Sequence, residues 1–343
     1  MAPPEHANED IFHEGELAMQ RAAGVADRMA IVGPKVIRTF MPDQHRQFYE
    51  QLPFLVAASV DEGGDVWATL MTGEPGFISS PSPTDLSVRA TLHESDPALD
   101  GLREGGAIGL LGIELHTRRR NRVNGLIDKF GPNQMQIRVR HAFGNCPKHV
   151  RLRQYAFHRN PSLASAESAV RTTSLDAAAV AIIENADTFF VASYADTGGE
   201  RLVDVSHRGG LPGFVKVETD GTLTVPDFAG NLYFNTLGNF VVNPRAGLLF
   251  VDFAIGDLLQ LTGKARIIHS GPQVEQFEGA QRLWNFAPDR IVLRPAASPL
   301  RWTTVADGIS PHSRKTGTWS DVAQGAPGQI IDGSEQERGT GRR

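Results

Sequence analysis

The segment Gly73-Glu74-Pro75-Gly76-Phe77 recurs as Gly210-Leu211-Pro212-Gly213-Phe214, and each copy lies inside a longer matching stretch. A chain with such a repeat is expected to fold one unit twice. Two further landmark pairs keep the same order. Leu55-Val56-Ala57-Ala58-Ser59 with Gly63-Gly64 answers Phe190-Val191-Ala192-Ser193 with Gly198-Gly199, and Gly109-Leu110-Leu111 through Gly125 answers Gly247-Leu248-Leu249 through Gly263. The 343 residues allow two domains at about 100–200 residues each. Two units of that size make a tandem, not a solenoid.

Short β runs fill both copies. In the first they are expected at 54–60, 66–70, 108–115, 120–124 and 135–140; in the second at 189–194, 202–206, 214–218, 231–235, 247–253, 258–268 and 291–293. Short strands with turn residues every ~8–12 positions predict a barrel or sandwich. Pro212-Gly213 suits the centre of a type II turn, where proline presets φ and glycine takes the positive φ. Helices are expected over 11–30, as an arm crossing onto the first domain, over 42–52, where Pro42-Asp43 marks a start, and over 176–185. The resulting division is a helical arm over 1–45, a first unit over 46–158, a Ser- and Ala-rich linker at 160–173 and a second unit over 174–312. The tail over 316–343 is expected to be disordered from its Gly, Ser, Gln and charge.

Lys plus Arg total 34 against 39 Asp plus Glu, so no global field attracts nucleic acid or an anionic membrane, and any anion site has to be built locally. Cys146 is the one cysteine, which excludes an intrachain disulfide and fits a reducing cytoplasm. No run approaches ~18 apolar residues, and residues 1–10 have no hydrophobic signal core. The chain is expected to be soluble and cytoplasmic.

The chemistry concentrates in Leu202-Val203-Asp204-Val205-Ser206-His207-Arg208-Gly209-Gly210, then Asn231-Leu232-Tyr233-Phe234-Asn235-Thr236-Leu237-Gly238-Asn239, then Asn243-Pro244-Arg245-Ala246-Gly247-Leu248-Leu249-Phe250. This succession resembles the pyridoxamine 5′-phosphate oxidase-like, FMN-binding split-barrel family. There a strand ends in polar or basic residues, an aromatic-Thr-Asn type segment follows, and Asn-Pro-x-x-x-Leu-x-Phe opens the next strand. The resemblance covers most of 176–302 and, more weakly, 48–153. It implies a mainly β fold with flanking helices (α+β), built as two tandem split β-barrels, with FMN as cofactor. FMN brings a phosphate dianion and a flat ring that is apolar on its faces and hydrogen-bonding along one edge. Arg208, Ser206, Thr236 and the backbone of Gly209-Gly210 are the phosphate candidates, and Asn235 is the candidate for the ring edge. Asp204, His207 and Asn239 complete the set in this unit. Asn239 stands near where the family pattern has a Lys or Arg, so one charge is missing. Trp302 lies where family barrels end, and the resemblance implies packing near the flavin.

The first copy has Thr72-Gly73 in place of Gly209-Gly210 with no His-Arg pair before it, so its cofactor site is expected to be degenerate. It carries instead the arginine-rich run 118–125. On a strand, Arg120, Arg122 and Asn124 share one face, which either makes a charged edge or meets the flavin or an anionic substrate across the contact between barrels. Split barrels of this family usually dimerise with FMN at the interface, so a tandem chain can supply both halves itself or form a homodimer. His13-Glu14-Gly15-Glu16 lacks partners at ligand spacing and reads as part of the arm, so no metal is expected. Cys146, within a run similar to one that follows the first barrel in tandem members, reads as structural.

No nucleophile–base motif stands out, which is compatible with a cofactor that carries the reaction. No Gly-x-Gly-x-x-Gly fingerprint is present, so a nicotinamide would bind only transiently. The resemblance implies an FMN-dependent oxidoreductase acting on a small molecule, with NAD(P)H as electron donor; no catalytic residue is singled out. The alternative is a flavin- or haem-binding protein without turnover, and a deazaflavin in place of FMN remains open. A pyridoxamine 5′-phosphate oxidase in the strict sense is disfavoured, because those enzymes are usually single-barrel chains.

Overall fold

The computed structural model describes residues 11–325 except 164 and 166. Three helices, α1 (Glu14–Ala22), α2 (Ala26–Val36) and α3 (Asp43–Glu50), precede the first sheet. Its strands are β1 (Phe54–Val60), β2 (Val66–Thr72), β3 (Ile78–Ser82), β4 (Asp85–Val88), β5 (Ala107–Glu114), β6 (Arg119–Gly131) and β7 (Gln134–Gly144). A 3₁₀ turn, Pro97–Gly101, sits between β4 and β5. Strands β8 (Arg153–Phe157) and β9 (Val170–Thr172) and helix α4 (Ala177–Asn185) lead to the second sheet. That sheet holds β10 (Thr188–Thr197), β11 (Glu200–Gly209), β12 (Lys216–Val217), β13 (Leu223–Phe228), β14 (Arg245–Val251), β15 (Leu258–Ile268) and β16 (Ala280–Arg294), with helices α5 (Asn235–Val242) and α6 (Pro272–Gln276) between strands. Strand β17 (Leu300–Thr304) and helix α7 (Trp319–Ala323) follow.

The two sheets have one topology. Their strand orders are β2-β1-β5-β6-β7-β4-β3 and β11-β10-β14-β15-β16-β13-β12, which map onto each other strand for strand. Every named pairing is antiparallel, and the molecule is mainly β: two tandem split barrels. The landmark glycines are equivalent in detail. Gly76 and Gly213 follow β2 and β11 at φ 97° and 86°, and each donates its N–H to the end of the preceding helix, Glu50 O and Glu184 O. Gly125 and Gly263 each sit at a register shift, in β6 and β15.

The central strands explain how the barrels meet. In β1, Leu55 and Ala57 point into the first barrel's core while Phe54, Val56, Ala58 and Val60 point into a second cluster shared by both barrels. Strand β10 does the same, with Phe189 and Val191 inward and Phe190, Ala192 and Tyr194 in the shared cluster. Burial on both faces is why these strands read as continuous apolar runs instead of alternating ones. The contact has a pseudo-two-fold form: β5 lies on β11, and β14 lies on β2. A Cβ at Gly109 would press on the backbone of Val203 and Asp204, and one at Gly247 on the backbone of Val66 and Trp67. Only glycine permits that approach from both sides. Strand β17 pairs with β8, adding a strand link between the ends of the two units.

Four expectations change. The arm is two helices, and α1 crosses α5 of the second barrel, where Gly15 rests against Gly238; it does not simply lie on the first. Residues 231–235 are not a strand but the lead-in to α5, and the ladder position is taken by β13. Within the expected linker, β9 pairs with β16. The tail is ordered as far as 325: Trp319 stacks edge-on against Phe277 at 4.9 Å and donates Nε1–H to Phe214 O, so an apolar anchor in a polar stretch holds it. Residues 1–10 and 326–343 lie outside the described residues. No helix among the described residues is long and apolar enough to cross a membrane.

The glycine contact is testable. Gly247→Ala is expected to lower unfolding free energy by about 1–3 kcal/mol, the usual cost of overpacking against backbone that cannot yield. Gly131→Ala, on β6 with nothing closer than 3.7 Å, is expected to stay within about 0.5 kcal/mol. Equal losses for both in chemical denaturation would remove the close approach as a constraint.

Candidate functional site

A cleft opens where β6 of the first barrel faces β11 and the N-terminus of α5 in the second. Its walls include Arg120, Arg122, Ser206, His207, Arg208, Asn235 and Thr236, with Leu111, Leu232, Phe234 and Leu237 as apolar lining. The run before α5 shapes the wall. Leu232 and Phe234 hold positive φ of 69° and 62°, a region that bulky residues rarely occupy and that clusters at functional sites.

Below the cleft is a buried polar network. Arg122 pairs with Asp204 at 2.9 Å, both nearly inaccessible. The same guanidinium donates to Asn235 Oδ1 at 2.8 Å and to Ser206 Oγ. Asp204 also accepts from Asn124 Nδ2 at 2.7 Å and Asn239 Nδ2 at 3.2 Å. Asn239 meets His13 Nε2 at 2.8 Å through Oδ1, and Asn235 Nδ2 donates to Glu16. One network thus ties β6, β11, α5 and α1 together. His13 and Glu16 cap α1 reciprocally, a His-x-x-Glu version of the capping box. That spacing was the signal that could have placed them.

Charge in the site is unbalanced. Asp227 accepts from Arg208 at 2.6 Å and Arg282 at 2.7 Å, and Asp204 takes Arg122. Arg120 donates Nε–H to Cys146 O at 2.6 Å and has no carboxylate partner among the described residues. Burial, with Arg122 and Arg208 nearby, brings its pKa down to about 10. His207 is buried, and its Nε2 is unpartnered among the described residues. Burial first, then Arg120 and other neighbouring cations, holds its pKa far below the ordinary histidine range, so it is neutral. His149, stacked on Phe228 at 5.1 Å, is brought down to about 4, chiefly by burial and then by His312 and Arg120. Glu16 is pushed up to about 8 by burial and by Asp204, so it is largely neutral at pH 7.

The structure brings together most of the residues expected from sequence, in different roles. Arg208 reaches the cleft already paired to Asp227. Asp204 and Asn239 lie beneath it as supports. Gly209 and Gly210 are structural: a Cβ on Gly209 would strike His149 O, and Gly210 N donates to Asp187 O at 3.1 Å. Trp302 is elsewhere, its ring edge-on to Phe54 and Phe253 in the cluster shared by the barrels. Its burial there comes from the β17–β8 pairing. The 118–125 run is not an edge, since β6 lies between β5 and β7; Arg120, Arg122 and Asn124 all turn toward the second barrel. Asn145, Asp227 and Arg282 belong to the site and were not foreseen, because β7, β13 and β16 bring them in from distant sequence.

Residues 175–302 match the family model described as pyridoxamine 5′-phosphate oxidase. That segment belongs to the pyridoxamine 5′-phosphate oxidase-like family. The matched span contains β11, α5 and the Asn243-Pro244 segment, while the other wall of the cleft, β6, lies outside it. Among solved structures, the chain is similar to HupZ of Group A Streptococcus (14% identity, 40% of this chain and 98% of that one, TM-score 0.27). It is also similar to a putative pyridoxamine 5′-phosphate oxidase of Lactobacillus delbrueckii (12%, 31% and 95%, 0.25) and an FMN-binding protein of Syntrophomonas wolfei (9%, 30% and 84%, 0.25). Likenesses this distant carry nothing about the activity of this chain. Among curated proteins, none matches.

The shared topology gives an equivalent position on the opposite side of the barrel contact, and register identifies it. Leu111 and Leu249 hold the same place, so Gln260 answers Arg122, and Thr69 answers Ser206. That position is filled by the chain itself. Asp96, at the start of the 3₁₀ turn, accepts from Thr69 Oγ1, from Gln260 Nε2 at 2.9 Å and from Arg294 at 2.7 Å. The position equivalent to the cleft is closed by a carboxylate.

Glu16 makes the network pH-sensitive. Its ordinary carboxyl pKa lies near 4.5, and in the folded chain it is about 8. Between these values the unfolded chain releases a proton that the folded chain keeps, so stability falls as pH rises through that window. Glu16→Gln removes the term. The gap between Glu16→Gln and the parent is therefore expected to shift in the variant's favour from pH 5 to pH 8; a pH-independent gap in urea unfolding would show that Glu16 titrates normally.

Proposed function

We propose that the cleft binds one FMN per chain and that the protein is an FMN-dependent oxidoreductase acting on a small molecule, with NAD(P)H as electron donor. The observation that carries this reading is the cationic surplus at the cleft: Arg120, Arg122 and Arg208 line it and Arg282 reaches its wall through Asp227, while Asp204 and Asp227 are the carboxylate partners of all but Arg120. Arg120 is half-buried without a counterion among the described residues, and removing a guanidinium from water without one is costly, so such a site favours a bound anion. The match of the second barrel to the pyridoxamine 5′-phosphate oxidase family supports a flavin as that anion.

The residues fit FMN in kind. Arg120 and Arg208 offer charge to its phosphate, Leu111, Leu232, Phe234 and Leu237 offer apolar contact to its ring, and Asn235 and Ser206 offer polar groups for the ring edge. Bound FMN would supply the hydride chemistry. The chain's part is to orient the ring, exclude water on the Leu111 side and hold the network beneath it rigid. His207, kept neutral, adds no further charge to the cation cluster.

Flavin titration tests the reading. One FMN per chain is expected, and Arg120→Ala should weaken binding by about one to two orders of magnitude, the usual effect of losing a charge-assisted contact of about 1.5–3 kcal/mol. Arg208 is a phosphate candidate from sequence, but Asp227 already offsets its charge, so Arg208→Ala is expected to cost less than Arg120→Ala. Arg119→Ala, whose guanidinium lies over Phe48, should leave affinity unchanged. Two flavins per chain, or none, would overturn the proposal. Flavin that binds but is not bleached by NAD(P)H would support carriage without turnover.

A further inference from the structure

The closed position shows where an oxyanion belongs in the open one. In the closed position, one oxygen of Asp96 takes Gln260 and the other takes Thr69 and Arg294. Their equivalents at the cleft are Arg122, Ser206 and Asn145. The last follows from register: Arg294 pairs with Leu258, two residues before Gln260, as Asn145 N donates to Arg120 O, two residues before Arg122. The place of the first oxygen is taken by Asn235 Oδ1, which accepts from Arg122. The place of the second holds no carboxylate among the described residues.

The donors facing that second place are unspent. Ser206 Oγ accepts from Arg122 and from Thr236 Oγ1, so its own hydroxyl hydrogen remains to be given. Asn145 Nδ2 has no partner among the described residues. Arg120, on the same wall, uses Nε on Cys146 O and keeps its terminal nitrogens. A neutral Asn235 therefore stands where the other unit carries a negative Asp96, beside Arg120, which has no carboxylate partner among the described residues.

We propose that an external oxyanion, a phosphate or carboxylate group of the ligand, occupies the cleft between Ser206 Oγ, Asn145 Nδ2 and the Arg120 and Arg122 guanidiniums, in the manner of the Asp96 carboxylate in the closed position. This rests on the cleft being a ligand site but not on the ligand being a flavin.

Inorganic phosphate is the probe, titrated calorimetrically into the full-length chain. One phosphate per chain is expected. Asn145→Asp, nearly isosteric and able to keep the hydrogen bond from Asn231, should weaken phosphate by at least about tenfold through repulsion. Ser206→Ala should weaken it less. Phosphate that binds the parent and Asn145→Asp equally, or does not bind the parent at all, overturns the proposal. Flavin titration in the same buffers separates the two claims. If phosphate competes with FMN but not with riboflavin, the flavin's own phosphate fills the subsite; if it binds alongside both, the subsite takes an oxyanion of the substrate. If neither flavin binds while Asn145→Asp still abolishes phosphate binding, the oxyanion site stands and the flavin reading falls.

Discussion

The buried ion pair between Arg122 and Asp204 joins the two barrels at the point where the cleft forms. A pair this inaccessible gains little net stability, because desolvating both charges offsets their attraction, but losing either partner leaves an uncompensated charge inside the protein. Its value lies in what it forbids. Asp204 is saturated by donors from β6 and α5, and Arg122 reaches on to Asn235 and Ser206. Barrel spacing, the seating of α5 and the floor of the cleft are therefore set by one network, and α1 is drawn into it through His13 and Glu16.

Around that network the two units differ in charge more than in shape. Both units keep the same strand order, the same turn glycines and the same glycine approach across the contact. What differs is which segment covers the end of the central strands. In the first unit a 3₁₀ turn brings Asp96 down onto Thr69, Gln260 and Arg294, and charge is satisfied within the chain. In the second, α5 brings Asn235 and Thr236 to the same region, and the arginines of β6 and β11 are left facing a cleft.

Much of this architecture was legible in the sequence because repeats and glycine positions report backbone geometry directly. The apolar runs at Phe54–Val60 and in β10 were legible as strands, and the structure buries both of their faces, as packed barrels require. The site was legible where it lies on one strand, as with Arg120 and Arg122 or with Ser206 through Arg208. It was not legible where partners arrive from other strands: nothing local to Arg208 reveals that Asp227 neutralises it, and nothing near Trp302 reveals that pairing with β8 carries it into the core. Residues 231–235 were misread as a strand because their aromatic content fits one, whereas two bulky residues in the left-handed region turn the chain into α5. The order of residues 316–325 depends on Trp319 finding Phe277, a contact invisible to composition.

A crystal structure of the full chain grown with FMN tests the account most directly. The account predicts one flavin per chain, with its phosphate or ring edge against Arg120, Ser206 and Asn145 and with the Asp96 carboxylate still seated on Thr69, Gln260 and Arg294. Flavin density at the Asp96 position, or a cleft between β6 and β11 that stays empty at saturating FMN, would contradict it.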